Sequence, residues 1–360
     1  MSSILSPTKM KSALRGERIA LVGGAGFIGH NLALGLRRYG ADVLVFDNLM
    51  QNNLVANVSD LEIDPFRRKL NHNFLTQRFE MMRDSNIKMA NADARSMTDV
   101  TETLSQFEPT KVVHLAAISS AVEAKSVPGH CFDLQLITLR NLLEYCRLMP
   151  NDVNQLVFMS SSTVYGDFDT PTVDENVRPR PYGIYANAKF MGERLVRTYC
   201  DQYGLGATII RPSALYGERC VSRRVSQVFV ENALLGKPLR LEGGGDGKLD
   251  FTYIEDLVDG IVRSMAAHEG PGTRNTFNIT YGNARTILEL AGIVKSVVPQ
   301  ADLIETPRDV IKPIRGTLST DRAKEQLGFE PQWPLEVGYK RYCEWYVDQW
   351  DRVKHELRTN

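Results

Sequence analysis

The chain has 360 residues, with 43 basic and 43 acidic side chains and a formal net charge of zero. That balance gives no sign of nucleic acid or a membrane surface as the main partner. Charged residues at 24% and hydrophobic residues at 43% are ordinary for a soluble protein, and the length suffices for one large domain or two closely joined ones.

Residues 1–16 hold no apolar core of signal-peptide length and read as a mobile arm. Ile19 to Val22 then form a short apolar run suited to a buried strand, followed by Gly23, Gly26 and Gly29. A helix from Phe27 begins inside this turn. Small residues let backbone N–H groups approach a pyrophosphate, and the helix N-terminus adds partial positive charge. A second strand, residues 42–47, ends at Asp47 and is followed by Asn48. An acidic residue about 20 positions past the glycines suits a ribose 2′-OH and repels a 2′-phosphate. The pair of features predicts a dinucleotide site that prefers NAD to NADP.

Residues 49–86 break the strand–helix rhythm. Phe66, Leu70, Phe74 and Met82 recur near helical spacing among Arg67, Arg68, Lys69, Arg78 and Arg83, which predicts one or two added amphipathic helices. These either pack against the sheet edge or serve as a lid or subunit contact. Further strands are expected at 87–90, 111–115, 155–160 and 206–211, and helices at 27–39, 98–106, 131–148 and 187–203. Strands alternating with helices imply a doubly wound parallel sheet. Beyond residue 211 the alternation fades, predicting a smaller α/β substrate-binding lobe over 212–350. Residues 17–211 would form the cofactor domain. His114 reads as a packed strand-end residue. The six histidines lack metal-ligand spacing, so no metal is expected, and the five scattered cysteines suggest free thiols in a reducing, cytoplasmic setting.

Chemistry concentrates in two segments. Tyr185 and Lys189 stand four apart at a helix start, on one face. A free tyrosine titrates near ~10, so a base near pH 7 needs a shift of about 3 units, which nearby positive charge favours. The run from Ser160 to Gly166 follows the apolar strand and offers hydroxyls for a substrate oxygen.

These segments, with the glycine turn, resemble the extended short-chain dehydrogenase/reductase family of NAD-dependent nucleotide-sugar epimerases and dehydratases. The resemblance runs over roughly residues 17–346. Its elements stand in family order: GGAGFIG (23–29), FDN (46–48), ADAR (92–95), VVHLAA (112–117), SSSTVYG (160–166), YANAK (185–189), RPSALYG (211–217), GDG…DFTYIEDLVDGI (245–261) and LGFEPQW (327–333). It implies a Rossmann-type fold with Ser161, Tyr185 and Lys189 as the catalytic set. The implied cofactor contacts are Gly23, Gly26, Phe27, Ile28, Gly29, Asp47, Asn48, Asp93, Ala94, Leu115, Ala116, Ala117 and Pro212, with Tyr185 and Lys189. The implied substrate contacts are Ser119, Ser161, Ser162, Tyr185, Ala214, Arg240 and Arg308.

Departures from the family pattern narrow the reaction. Dehydratases of the family carry an Asp-Glu pair after the catalytic Ser/Thr, where this chain has Ser162 and Thr163. Ala214, Leu249 and Gln135 replace a usual Asn, Arg and Asn. Arg219, Arg223, Arg224, Arg240, Arg308 and Arg315 are candidate replacements for lost diphosphate contacts. The reading is a nucleotide-sugar epimerase acting at C4, similar to a UDP-glucose 4-epimerase, with Lys189 lowering the Tyr185 pKa. A C4 dehydrogenase, a decarboxylase and a 4,6-dehydratase are alternatives, as is a non-catalytic NAD-binding sensor. The resemblance also implies a homodimer through helices 131–148 and 187–203, with Leu143 at the contact.

Overall fold

The computed structural model describes residues 5–60, 63–119, 121–149, 153–309 and 313–359. Seven parallel strands form its centre: β1 (Arg18–Val22), β2 (Asp42–Asp47), β3 (Lys88–Asn91), β4 (Lys111–His114), β5 (Gln155–Met159), β6 (Ala207–Arg211) and β7 (Arg274–Asn278). Their order across the sheet is β7-β6-β5-β4-β1-β2-β3. The order reverses between β1 and β4, whose registers place Val22 beside His114. A crevice opens at the carboxyl ends of such a pair, and ligands bind there.

Strand side chains alternate between two apolar cores. Ile19, Leu21, Val43, Val45, Val113 and Val157 face one layer, with Leu32, Leu36, Leu257 and Ile261 from helices Phe27–Arg38 and Ile254–Ala266. Ala20, Val22, Leu44, Phe46, Val112, Leu156 and Phe158 face the other, with Leu104, Leu139, Leu143 and Val196. Burial on both faces makes the central strands continuously apolar rather than alternating. β3 is the exception: Lys88, Met89 and Asn91 are exposed, as suits an edge strand.

Three features differ from the sequence reading. Residues 1–16 are not a mobile arm throughout, because Pro7–Leu14 is helical. Ser6 caps it by accepting the Lys9 N–H, Pro7 opens it, and Met10 and Leu14, one turn apart, are buried. Residues 1–4 lie outside the described residues. The expected 131–148 helix starts as Pro128–Phe132, widens through a π-turn at Asp133–Ile137, and continues as Thr138–Leu148. Its Leu143 is 0% exposed within the single chain, so it belongs to the core and cannot form a subunit contact. Finally, β7 lies beyond residue 211 and pairs with β6, so the chain re-enters the sheet after leaving it.

The added segment forms two helices, Leu54–Ser59 and Pro65–Asp84. The longer one packs on the C-terminal helix Leu335–Thr359: Phe66 lies 4.3 Å from Trp350 and Phe74 4.8 Å from Trp345, centroid to centroid. Gln77 Nε2 also donates to Gln349 Oε1 at 3.0 Å.

Candidate active site

The groove at the switch point is shaped by the turn after β1. Gly23 adopts φ +81°, and a Cβ there would lie 2.6 Å from the Ala116 nitrogen. A Cβ on Gly29 would lie 2.3 Å from the Gly24 oxygen. Any side chain at either position would fill the cradle or push the helix from the strand. Gly26 caps the Phe27–Arg38 helix without a side-chain bond, leaving first-turn N–H groups available to an anion. Gly23, Gly26, Phe27, Ile28, Gly29 and Asp47 line the groove, as do Leu115, Ala116 and Ala117 from the end of β4. Ser119, expected with the substrate, also lines it. The Asp47 carboxylate accepts N–H bonds from Ala25 at 3.0 Å and Leu49 at 2.7 Å. Burial raises its pKa, and those two N–H groups oppose the rise. Asn48 hydrogen-bonds Asp93, which also holds Arg95 in an ion pair, while Ala94 is buried beside them. An open backbone cradle, a bare helix end and a carboxylate after β2 fit a dinucleotide.

The hydroxyl cluster sits at the end of β5. Ser161 is 8% exposed, and its Oγ accepts from the Thr163 N–H at 3.2 Å and the Thr163 hydroxyl at 3.0 Å. Tyr185 lies in the first turn of helix Gly183–Tyr203 and is hydrogen-bonded to Ser161. Burial raises the Tyr185 pKa, whereas the Arg224 charge and the Ser161 hydroxyl both favour phenolate. Lys189, one turn on, donates to the Met159 carbonyl at 2.8 Å. Its ammonium lies 6.0 Å from the Tyr185 ring centroid. The Arg224 charge thus favours the phenolate, and the Lys189 ammonium lies over the same ring. Lys189 is turned to the strand-end carbonyl, and burial pulls its own pKa down to about 8.

A buried ion pair supports this cluster from behind. Arg211 Nη2 lies 2.6 Å from Glu193 Oε2, with side chains 2% and 1% exposed. Glu193 also accepts from Ser160 Oγ at 2.6 Å, and Arg211 donates to Tyr165 Oη at 3.0 Å. Tyr165 in turn donates to Asn278 Oδ1 in β7. Burial opposes the Arg211 charge, but the bonds and charge of Glu193 outweigh it, so its pKa rises. The network fixes both ends of the hydroxyl run.

Among the arginines, Arg224 lines the groove and donates to the Ser119 carbonyl at 3.2 Å. Arg315 donates to Ser162 Oγ at 2.6 Å and lies over the Phe168 ring. Arg240 and Arg308 are exposed at the paired segments Leu239–Glu242 and Leu303–Thr306 and just beyond them. None of their contacts among the described residues reaches Ser161, Tyr185 or Lys189. Pro212 is buried and accepts from the Ser162 N–H at 2.9 Å, and Ala214 holds φ +36°. Gln135 is buried in the π-turn and donates to Cys131 Sγ. His114 is buried, bonded to Thr138, and held neutral by burial, with a pKa of about 3.

Sequence reasoning missed Arg78 as a site residue. It lines the groove and is 1% exposed. The signal was present: 66, 70, 74, 78 and 82 recur every four residues, so a guanidinium stands in an otherwise apolar stripe. Arg315, by contrast, was named among the candidate arginines, and the structure places it against Ser162.

Residues 19–280 match the NAD dependent epimerase/dehydratase family. UDP-glucuronate 4-epimerase 1 of Arabidopsis thaliana is 27% identical over 349 residues, 92% of this chain and 77% of that protein. UDP-glucuronic acid decarboxylase 1 of the same plant is 30% identical over 333 residues, 90% and 68% of the two chains. The structure of UDP-glucose 4-epimerase from Thermus thermophilus, in complex with NAD, superimposes with a TM-score of 0.76 at 25% identity. It covers 92% of this chain and 99% of its own.

Proposed function

Since the chain belongs to the NAD dependent epimerase/dehydratase family and is an NAD-dependent enzyme, we propose that it epimerises a nucleotide-diphosphate sugar at C4 through a transient 4-keto sugar. The observation that carries this reading is the Tyr185–Ser161 contact at the end of β5, followed by hydroxyls, not carboxylic acids, at 162 and 163. Residues 23–29, Asp47 and 115–117 would hold NAD, with Lys189 toward its nicotinamide ribose. When bound, NAD supplies the acceptor and donor of the hydride. Tyr185 Oη takes the proton of the C4 hydroxyl and later returns it to the same oxygen. Ser161 Oγ–H donates to that oxygen while it is a carbonyl. Arg224 favours the phenolate that starts the cycle. Removal of water across neighbouring carbons needs an acid/base pair, and Ser162 and Thr163 do not supply one. The remaining proposed substrate contacts are Ser119, Ser162, Ala214, Arg240 and Arg308.

One observation favours a sugar that bears a carboxylate. Arg315 has no carboxylate within 4.0 Å among the described residues, and its enclosed Nε has no acceptor. It lies against Ser162, the residue next to the hydroxyl that meets C4. A uronate attached to a nucleoside diphosphate would satisfy that guanidinium. The A. thaliana relatives named for UDP-glucuronate support this choice. Incubation with UDP-glucose and UDP-glucuronate, followed by separation of products, tests both statements. A C4 epimer supports the reaction, and faster turnover of the uronate supports the carboxylate. A pentose with CO₂, a dehydrated sugar or accumulating NADH overturns the epimerase reading. The proposal includes a homodimer, through exposed side chains of the expected helices such as Leu148, Met191 and Tyr203 rather than through Leu143. A mass near 40 kDa by light scattering overturns that part.

A further inference from the structure

The Arg78 side chain is fully buried, yet no carboxylate lies within 4.0 Å of it among the described residues. Its nearest acceptors are backbone carbonyls: Nε and Nη2 donate to Arg219 O, and Nη1 donates to Ala25 O at 3.3 Å. A guanidinium carries five N–H donors, so these bonds use three. The two that remain, one on each terminal nitrogen, have no acceptor among the described residues, and the group lines the dinucleotide groove. Its surroundings add positive charge. Burial depresses the Arg78 pKa and the Arg219 charge adds to this, and both arginines add to burial in keeping His30 neutral. Among the described residues Asp47 is the one carboxylate whose charge acts on Arg78, and it does so from beyond ion-pair distance. A buried cation without a paired anion is costly and persists where a ligand supplies the charge.

We propose that Arg78 is a binding residue for the cofactor diphosphate, brought to the groove by the added helix Pro65–Asp84. The turn at 23–29 offers backbone N–H groups and a helix end, which together carry only a partial charge. Arg78 supplies a full charge and two donors in a fixed fork, suited to two phosphate oxygens. Its bond to Ala25 O holds the same turn, and its bonds to Arg219 O tie the loop before helix Val225–Leu234 to that turn. The added segment is thus part of the cofactor site rather than padding on the sheet edge. The proposal rests on the groove being the NAD site.

The test is calorimetric titration of the full-length protein, freed of bound nucleotide, with NAD, ADP and adenosine. Arg78→Met is expected to weaken NAD and ADP by 10- to 100-fold and to leave adenosine within twofold. Arg78→Lys, which keeps the charge and loses the fork, is expected to weaken NAD and ADP several-fold. Equal weakening of all three ligands would assign Arg78 a purely structural role and overturn the proposal, as would unchanged NAD affinity. If Arg78→Met does not fold, Arg78→Lys decides by the same ratio. Failure of the wild-type protein to bind NAD would instead sink the cofactor reading of the groove.

Discussion

The glycine turn, as the proposed cofactor site, and the hydroxyl cluster solve different problems by different means. The turn at 23–29 is a run of consecutive residues whose glycines matter for having no side chain, so backbone groups are left open to a ligand. The hydroxyl cluster needs charge and proton traffic, and its parts arrive from far along the chain. Arg315 meets Ser162 across 153 positions, and Arg211 is held by Glu193 on a helix. Backbone recognition is local and reads directly as a motif. Side-chain electrostatics are assembled by the fold and leave weaker traces in the sequence.

The sharpest way to separate the two regions is Tyr185→Phe. Turnover is expected to fall about 10²–10⁴-fold, the contribution of a positioned acid/base group, while NAD still binds to the turn. Steady-state rates and NAD titration on one preparation check both halves, and a coupled loss of NAD affinity would break the comparison. Glu193→Gln acts next. It leaves the Arg211 guanidinium buried and unpaired, and urea unfolding is expected to show a loss of about 3–5 kcal/mol. Its turnover loss should track the disordering of Ser161.

Arg224→Gln is a milder change with a definite sign. Arg224 favours the Tyr185 phenolate, so removing it raises the phenol pKa. The base is then protonated to a higher pH, and the acid limb of the pH–rate profile moves upward. A downward shift would show that Arg224 does not act on Tyr185. Asp47→Ala is the smallest change. The preference for NAD over NADP is expected to narrow about 10-fold, or 1.4 kcal/mol, as measured by binding of both cofactors.

The parallel sheet, the glycine turn, Asp47 and the Tyr185/Lys189 spacing were legible because each is a short-range pattern. Packing against distant elements was not. The helix at Pro7–Leu14 exists because Met10 and Leu14 find a buried surface, which a local reading cannot see. Leu143 read as surplus apolar surface because two faces of its helix are apolar. The sheet and the Gly183–Tyr203 helix cover both. Arg78 was half legible: its place in the four-residue stripe was visible, but its destination beside Ala25 was not.

The return of the chain to form β7 has a consequence for dissecting the protein. A fragment ending at residue 211 would carry the whole glycine turn and both catalytic segments. It would also present β6 as a naked edge strand, stripped of its register with Arg274–Asn278. Such an edge recruits strands from other molecules. Tyr165 would lose Asn278 as well, loosening the hydroxyl run from behind. The proposed cofactor half is therefore not a severable module, and a truncation placed where the motifs end would cut through the sheet that holds them.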